Sequence, residues 1–396
     1  MRRTAATAAL LLAAVPVTAC GATHPSARAQ RTGTASSASS GSATPSDVAM
    51  ARPAALTKPT LSPDILVYGA HSQSAATVKA VRALPGVVDV EQFALGQFFH
   101  EEQQITYAAV DPATFRRFTP QDSAQTQSVW DRVAGGEMAV TRSIGEQIED
   151  AHDYVRMGND RGALKVHVGA YAPLVQDYTG ASVVDAVVNE KWVSKLGVPA
   201  HNAMLISTGS ASPQAVLKKL KPVIGADSVR ILAVNLPVSG YQTAVLTGGS
   251  VSSLLGTLRY VPHADGTVTD DPAWVKEYIR TEQVPIIGSV TCNKIMLPQL
   301  RAALTEVVQR GLAGKINPSQ YGGCFNARFI AGTNQLSYHA YGMAIDLNVP
   351  GNERGTVGQM DRTVVAIFKK WGFTWGGTWH YTDPMHFQLD TIVKVK

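Results

Sequence analysis

The chain has 396 residues, of which 45% are hydrophobic and 16% charged. That balance fits a globular protein and excludes a disordered one, and the length leaves room for two or three domains. The net charge is +5, and once Arg2 and Arg3 are set aside 33 basic residues face 30 acidic ones, a mild bias that suits an anionic wall polymer and makes no case for a nucleic-acid partner.

The first twenty residues carry Arg2 and Arg3, then the apolar run A-A-T-A-A-L-L-L-A-A-V-P-V, then V-T-A-C. This is the layout of an export signal, and the run is too short to cross a bilayer as a mature helix. Val17-Thr18-Ala19-Cys20 resembles a bacterial lipobox, which implies lipidation at Cys20, a membrane attachment through that lipid and an extracytoplasmic location. The alternative is an ordinary signal peptide with an incidental cysteine. Gly21 to about Ser62 is rich in Ala, Ser, Thr, Gly and Pro; it lacks the apolar residues for a core and reads as a tether.

From Pro63 to about residue 262 the texture is globular. D-I-L-V-Y-G reads as a strand, S-A-A-T-V-K-A-V-R-A-L as a helix ended by Pro85-Gly86, and V-V-D-V-E-Q-F-A-L as a half-buried strand. Ser212-Pro213 opens a further helix that Gly225 closes, and the strands V-R-I-L-A-V and T-A-V-L follow. The expectation is a mixed α+β domain. His100-Glu101-Glu102 begins like a metalloprotease helix, but Gln104 stands where the second histidine is required, so the motif fails. His152, His167 and His201 are scattered and read as surface or satisfied core histidines. The order of elements resembles, without a specific motif, extracytoplasmic domains of bacterial ABC-type permeases, which implies an envelope protein as partner for this region.

His263 to Asp271 is polar and turn-rich and marks a domain junction, taken as 263–273. Beyond it P-A-W-V-K-E-Y-I, L-P-Q-L-R-A-A-L-T-E-V-V-Q-R-G-L and M-D-R-T-V-V-A-I-F-K-K-W-G read as helices, with M-A-I-D-L-N-V and M-H-F-Q-L-D as strands. The expectation for 274–396 is a small α+β domain with an antiparallel sheet, separate from the one before it. Cys292 and Cys324, in an exported chain, are expected to pair; two free thiols or half of a metal site are the alternatives.

The chemistry gathers in S-Y-H-A-Y-G-M-A-I-D-L-N, Ser337 to Asn348, and T-W-H-Y-T-D-P-M-H-F, Thr378 to Phe387. Asp346 has aliphatic neighbours, and a buried carboxylate needs a cation or several donors. His339 lies seven residues before it, with Gly342 allowing the chain to turn between them. His386 follows forty residues on, with Asp383 three places before it. Two histidines and a carboxylate are a common ligand set for catalytic zinc, and a further carboxylate suits a general base.

S-x-H-x-x-G-x-A-x-D followed by D-x-x-H resembles the D-alanyl-D-alanine carboxypeptidase zinc peptidases and their L-alanyl-D-glutamate endopeptidase relatives, over roughly Trp274 to Asp390. The resemblance implies one zinc held by His339, Asp346 and His386, Asp383 as the acid/base carboxylate, and Arg328 as the arginine that binds a substrate carboxylate or steadies the reacting centre. Ser337 would orient a ligand or touch substrate, and Trp379 would line the groove with Trp375 beside it, a packed core position being the alternative for either. W-G-G-x-W…D-x-x-H-F looks closer to the endopeptidase branch. His380 departs from the pattern and reads as a rim residue, with competing ligand or second proton donor as alternatives. The implied activity is hydrolysis of peptidoglycan stem peptides in wall remodelling. A serine mechanism is set aside because no serine has lysine three places on and G-x-S-x-G is absent. The rival from another class is a wall-binding or partner-docking lipoprotein that keeps the peptidase fold as scaffold.

Overall fold

The computed structural model describes residues 45–233, 240–263, 265–330, 333 and 335–395. Cys20, with the signal segment and the first half of the expected tether, lies outside the described residues. Gly41–Lys396 is one compact unit. From Val48 onward the stretch expected to be tether lies along the body. Met50 N–H donates to the Ala134 carbonyl (2.7 Å), and Gln127 and Arg117 donate to the carbonyls of Pro53 and Pro59 (2.7 and 3.2 Å). Prolines keep this segment out of a ladder but leave its carbonyls free to accept.

Nine strands form the largest sheet among the described residues: β1 (Ile65–Tyr68), β2 (Asp89–His100), β3 (Gln103–Val110), β4 (Met138–Val140), β5 (Tyr154–Arg156), β6 (Lys165–Tyr171), β7 (Ala186–Asn189), β8 (Ala203–Ser207) and β9 (Ser228–Ile231). Their order is β5-β6-β4-β7-β3-β2-β8-β1-β9. The β3–β7 and β4–β6 pairs are parallel and the others antiparallel. Helix Ala75–Arg82 starts where Ser74 accepts from Thr77 N–H, and helix Pro213–Ile224 ends at Gly225 with φ +60°, as the start and stop residues require. The longest hairpin, β2–β3, matters below because its turn is Glu101-Glu102.

A second sheet joins β10 (Gln242–Val245), β11 (Thr257–Pro262) and β12 (Val268–Asp270), so the polar stretch after His263 is the turn of a hairpin. β13 (Ile279–Val284) and β14 (Gly288–Asn293) form a two-stranded ribbon. The last sheet is antiparallel, in the order β15 (Ala344–Asp346), β17 (His386–Leu389), β16 (Phe373–Trp375). The architecture is mixed α+β with a small antiparallel sheet at the C-terminal end.

Helix Arg362–Lys370 buries Val364, Val365, Ile367 and Phe368. The Phe368 ring lies 5.2 Å from that of Phe373 and 4.6 Å from that of Phe387. Burying each such ring contributes roughly 1.5–3 kcal/mol. Successive strand residues face opposite ways, so sinking Phe387 and Leu389 into this core turns His386 and Gln388 to the other face. Among the described residues the surrounding core runs from Ala244 to Leu389 and takes in one ring of the large sheet, Phe99, which meets Tyr338 edge-on at 4.6 Å.

Candidate metal centre

Asp346 and His386 are cross-strand partners in β15 and β17, which sets two side chains of one face opposite each other. His339 comes from the short turn Tyr338–Tyr341. Ser337 caps that turn by accepting from His339 N–H (3.3 Å). Gly342 ends it with φ +62°, where a Cβ would stand 2.8 Å from Asn293 N, so glycine is required both for conformation and for space. The result is a near-equilateral triangle. His339 Nε2 to His386 Nδ1 is 3.2 Å, His339 Nε2 to Asp346 Oδ1 is 3.3 Å, and His386 Nδ1 to Asp346 Oδ1 is 3.2 Å.

The neighbours decide where the imidazole hydrogens sit. His339 Nδ1 is 2.7 Å from the Cys324 carbonyl, which can only accept, so Nδ1 carries the hydrogen and Nε2 is bare. Cys324 is fixed in turn by a disulfide to Cys292. His386 Nε2 is 3.1 Å from Gln388 Oε1. The Gln388 amide is oriented by donating to Asp390 (3.1 Å) and to the Glu101 carbonyl (3.1 Å), so its oxygen faces His386 and His386 Nδ1 is also bare. With both imidazoles neutral, two bare nitrogens and a carboxylate oxygen converge with no hydrogen between them. Such a cluster suits a cation. A tetrahedral zinc with bonds of about 2.0–2.1 Å separates its ligand atoms by roughly 3.3 Å, so this donor set fits the metal in kind and in spacing.

Burial raises the Asp346 carboxyl, but when the imidazoles of His339 and His386 carry hydrogens toward it, their charge and hydrogen bonds outweigh burial and hold it well below the usual range. Asp383 behaves oppositely: burial pushes it up to about 6, with His386 and Arg354 pulling down and Asp346 and Glu102 pushing up. Its Oδ1 has no hydrogen-bond partner among the described residues. The Asp383 carbonyl accepts from His386 N–H (3.1 Å), and this tight turn keeps the carboxyl near the ligand cluster.

A cavity of about 70 Å³ opens onto these groups and brings together Ser337, His339, Asp346, Asp383, His386 and Arg328. Arg328 donates to its neighbour's carbonyl, Phe329 O (3.2 Å), and pairs with no carboxylate among the described residues. Trp379 is buried with its ring 5.1 Å from that of His386 and is not in the cavity wall. Trp375 donates from its indole nitrogen to the Pro384 carbonyl (2.7 Å) and packs in the core. His380 is exposed and outside the ligand triangle. A larger cavity of about 260 Å³, lined by Gln92, Asp111, Glu190, Lys191 and His201 among others, lies elsewhere and gathers no comparable set.

Three contributors were not singled out in the sequence. Gln388 was within reach of period-two reasoning, since it shares a strand face with His386. Arg354, in the polar loop N-E-R-G-T, and Glu102, at the tip of β2–β3, line the cavity; no motif marks Arg354, and Glu102 stood only in the failed His100-Glu101-Glu102 pattern.

The site defines a metallopeptidase-like arrangement: three converging ligand atoms, a buried carboxyl with a raised pKa, and an arginine at the cavity wall. In agreement, residues 331–389 match the family model described as D-alanyl-D-alanine carboxypeptidase. That span holds His339, Asp346, Asp383 and His386 and leaves the greater part of the chain unmatched. No curated protein matches the chain.

Proposed function

We propose that the C-terminal region is a zinc-dependent peptidase hydrolysing peptide bonds in peptidoglycan stem peptides, as an L-Ala-D-Glu endopeptidase or a D-Ala-D-Ala carboxypeptidase. The observation that supports it most is the convergence of two bare imidazole nitrogens and a carboxylate oxygen beside a buried carboxyl of raised pKa. His339 Nε2, Asp346 Oδ1 and His386 Nδ1 would hold the metal. Bound there, zinc would supply an activated water and a Lewis acid for the scissile carbonyl.

The remaining work falls to the chain. Asp383, with a pKa of about 6, is matched to taking a proton from the attacking water and returning it to the leaving amine near neutral pH. Arg328, free of carboxylates on the cavity wall, would bind a substrate carboxylate through its fork. Ser337 would act through the turn that carries His339. We also propose an extracytoplasmic location with a lipid on Cys20, which palmitate labelling lost in Cys20→Ala would test.

The activity is tested by digesting muropeptides and reading product masses, with zinc measured on the same protein. We expect about one zinc per chain and a single cleaved bond, the masses telling the two bonds apart. Asp383→Asn should keep the zinc and lose at least a hundredfold in turnover, within the roughly 10²–10⁴ of a general base. A zinc-loaded protein inert on every stem peptide would favour the wall-binding reading.

A further inference from the structure

The β2–β3 hairpin leaves the large sheet and places its turn against the C-terminal site. Glu101 sits there with φ +53°, and three elements fasten it. Asn159 accepts from Glu101 N–H and donates to its carbonyl, both at 2.7 Å. Gln388 donates to the same carbonyl (3.1 Å). The Glu101 carboxylate takes His380 N–H on both oxygens at 3.1 Å. A tip held in this way has little freedom, and its next residue, Glu102, is aimed into the cavity.

Glu102 pairs with Arg354 Nη2, the two side chains being 19% and 31% exposed. The same guanidinium faces Asp383, with Nε 3.7 Å from Oδ2, beyond hydrogen-bonding range. Arg354 Nε and Asp383 Oδ1 are both buried without a hydrogen-bond partner among the described residues. Two carboxylates thus flank one arginine: Glu102 takes its hydrogen bond, and Asp383 stands off at the distance of a loose ion pair. An arginine with a free carboxylate within reach closes into a charge-assisted, often two-pronged pair. A two-pronged pair occupies both carboxylate oxygens and leaves neither for a water in the cavity.

We propose that Glu102 is a positioning residue of the C-terminal site: it restrains Arg354 so that Asp383 stays free, which makes the large N-terminal sheet an integral part of that site. The proposal rests on the peptidase reading for the use made of Asp383, but not for the restraint itself. Glu102 and Arg354 are 252 residues apart in the chain, so the restraint exists only when both halves are folded together.

Two measurements on the full chain test it. In a crystal structure of Glu102→Ala, Arg354 should move onto Asp383, shortening the 3.7 Å gap to below about 3 Å; an unchanged gap overturns the proposal whatever the activity. In stem-peptide kinetics Glu102→Ala should lower kcat at least tenfold with KM within threefold. Glu102→Gln, whose amide oxygen still accepts from Arg354 but carries no charge to compete with Asp383, should lose less kcat than Glu102→Ala and more than threefold. Adding Arg354→Ala to Glu102→Ala should recover at least fivefold of the lost kcat, which a merely destabilised hairpin would not do. No recovery in the double variant overturns the proposal, as does a kcat/KM that rises in Glu102→Ala, the sign of a hairpin that obstructs. Wild type inert on all stem peptides would instead sink the peptidase reading, and the Arg354–Asp383 distance would still decide the restraint.

Discussion

Replacing Gln388 by Leu tests whether the donor geometry is set by the groups behind the ligands. Gln388 is fully buried, so Leu fills much of the same space while removing the acceptor for His386 Nε2–H and the donor to Asp390 and the Glu101 carbonyl. His386 then has no acceptor to keep its hydrogen on Nε2, and part of its population presents Nδ1–H to the site. Losing an outer partner of a ligating histidine costs about 10–100-fold in metal affinity, or about 1.4–2.8 kcal/mol. Gln388→Glu separates affinity from stability. It still accepts from His386 but sets a carboxylate beside Asp390, itself pushed up to about 7 by burial. Competition with a fluorescent zinc chelator should therefore show weakened binding for Leu and near-normal binding for Glu, while thermal unfolding is lowered in both. Leu binding within twofold of wild type, with an unchanged circular dichroism spectrum, would refute the tautomer argument.

Three further outcomes concern the disulfide, a buried carboxyl and the cap of the His339 turn. Reducing Cys292–Cys324, which are 32 positions apart, should lower stability by roughly 3–4 kcal/mol in the chain-entropy model; equal melting temperatures with and without reductant would contradict it. Asp270 is buried with neither oxygen partnered among the described residues, and burial raises its carboxyl to about 7. Below pH 3.8 both states hold the proton; between 3.8 and 7 the unfolded chain releases it first, so stability falls as pH rises, by at most about 4 kcal/mol at 1.36 kcal/mol per pH unit. Asp270→Asn should gain on wild type between pH 5 and pH 8 in urea titrations, and a constant difference would count against the buried charge. Ser337→Ala removes the cap of the His339 turn and should cost about 0.5–2 kcal/mol of stability, with zinc affinity falling alongside it in the chelator assay.

What could be read from the sequence depended on how local the deciding physics was. Helix ends were legible where start and stop residues act locally: Ser212-Pro213 before and Gly225 after the helix Pro213–Ile224. The strands of His386 and Asp346 were legible from alternation and from the expense of burying Asp346 between aliphatic neighbours. Their pairing was not written in either strand. It follows from Phe387 and Ile345 seeking one core, which leaves His386 and Asp346 facing each other on the opposite side. The order of the nine-stranded sheet, with its parallel pairs, had no local signal either, since register and crossover are settled by tertiary packing.

His100-Glu101-Glu102 shows the same limit from the other side. As a helical metal motif it fails for want of a second histidine at Gln104, and that judgement stands, since these residues form a strand end and a turn. Yet Gln104 is itself tied to the C-terminal region: its side-chain oxygen accepts from Leu336 N–H (3.3 Å), and its amide lies 3.4 Å from the Tyr341 hydroxyl. Glu101 meets His380, and Glu102 meets Arg354. A motif search asks whether these residues bind a metal among themselves, whereas the fold uses them to brace a ligand cluster more than two hundred residues away. Charged residues crowded at a hairpin tip are costly to bury unless something on the far side is charged to receive them, and here Arg354 and the His380 amide are that complement.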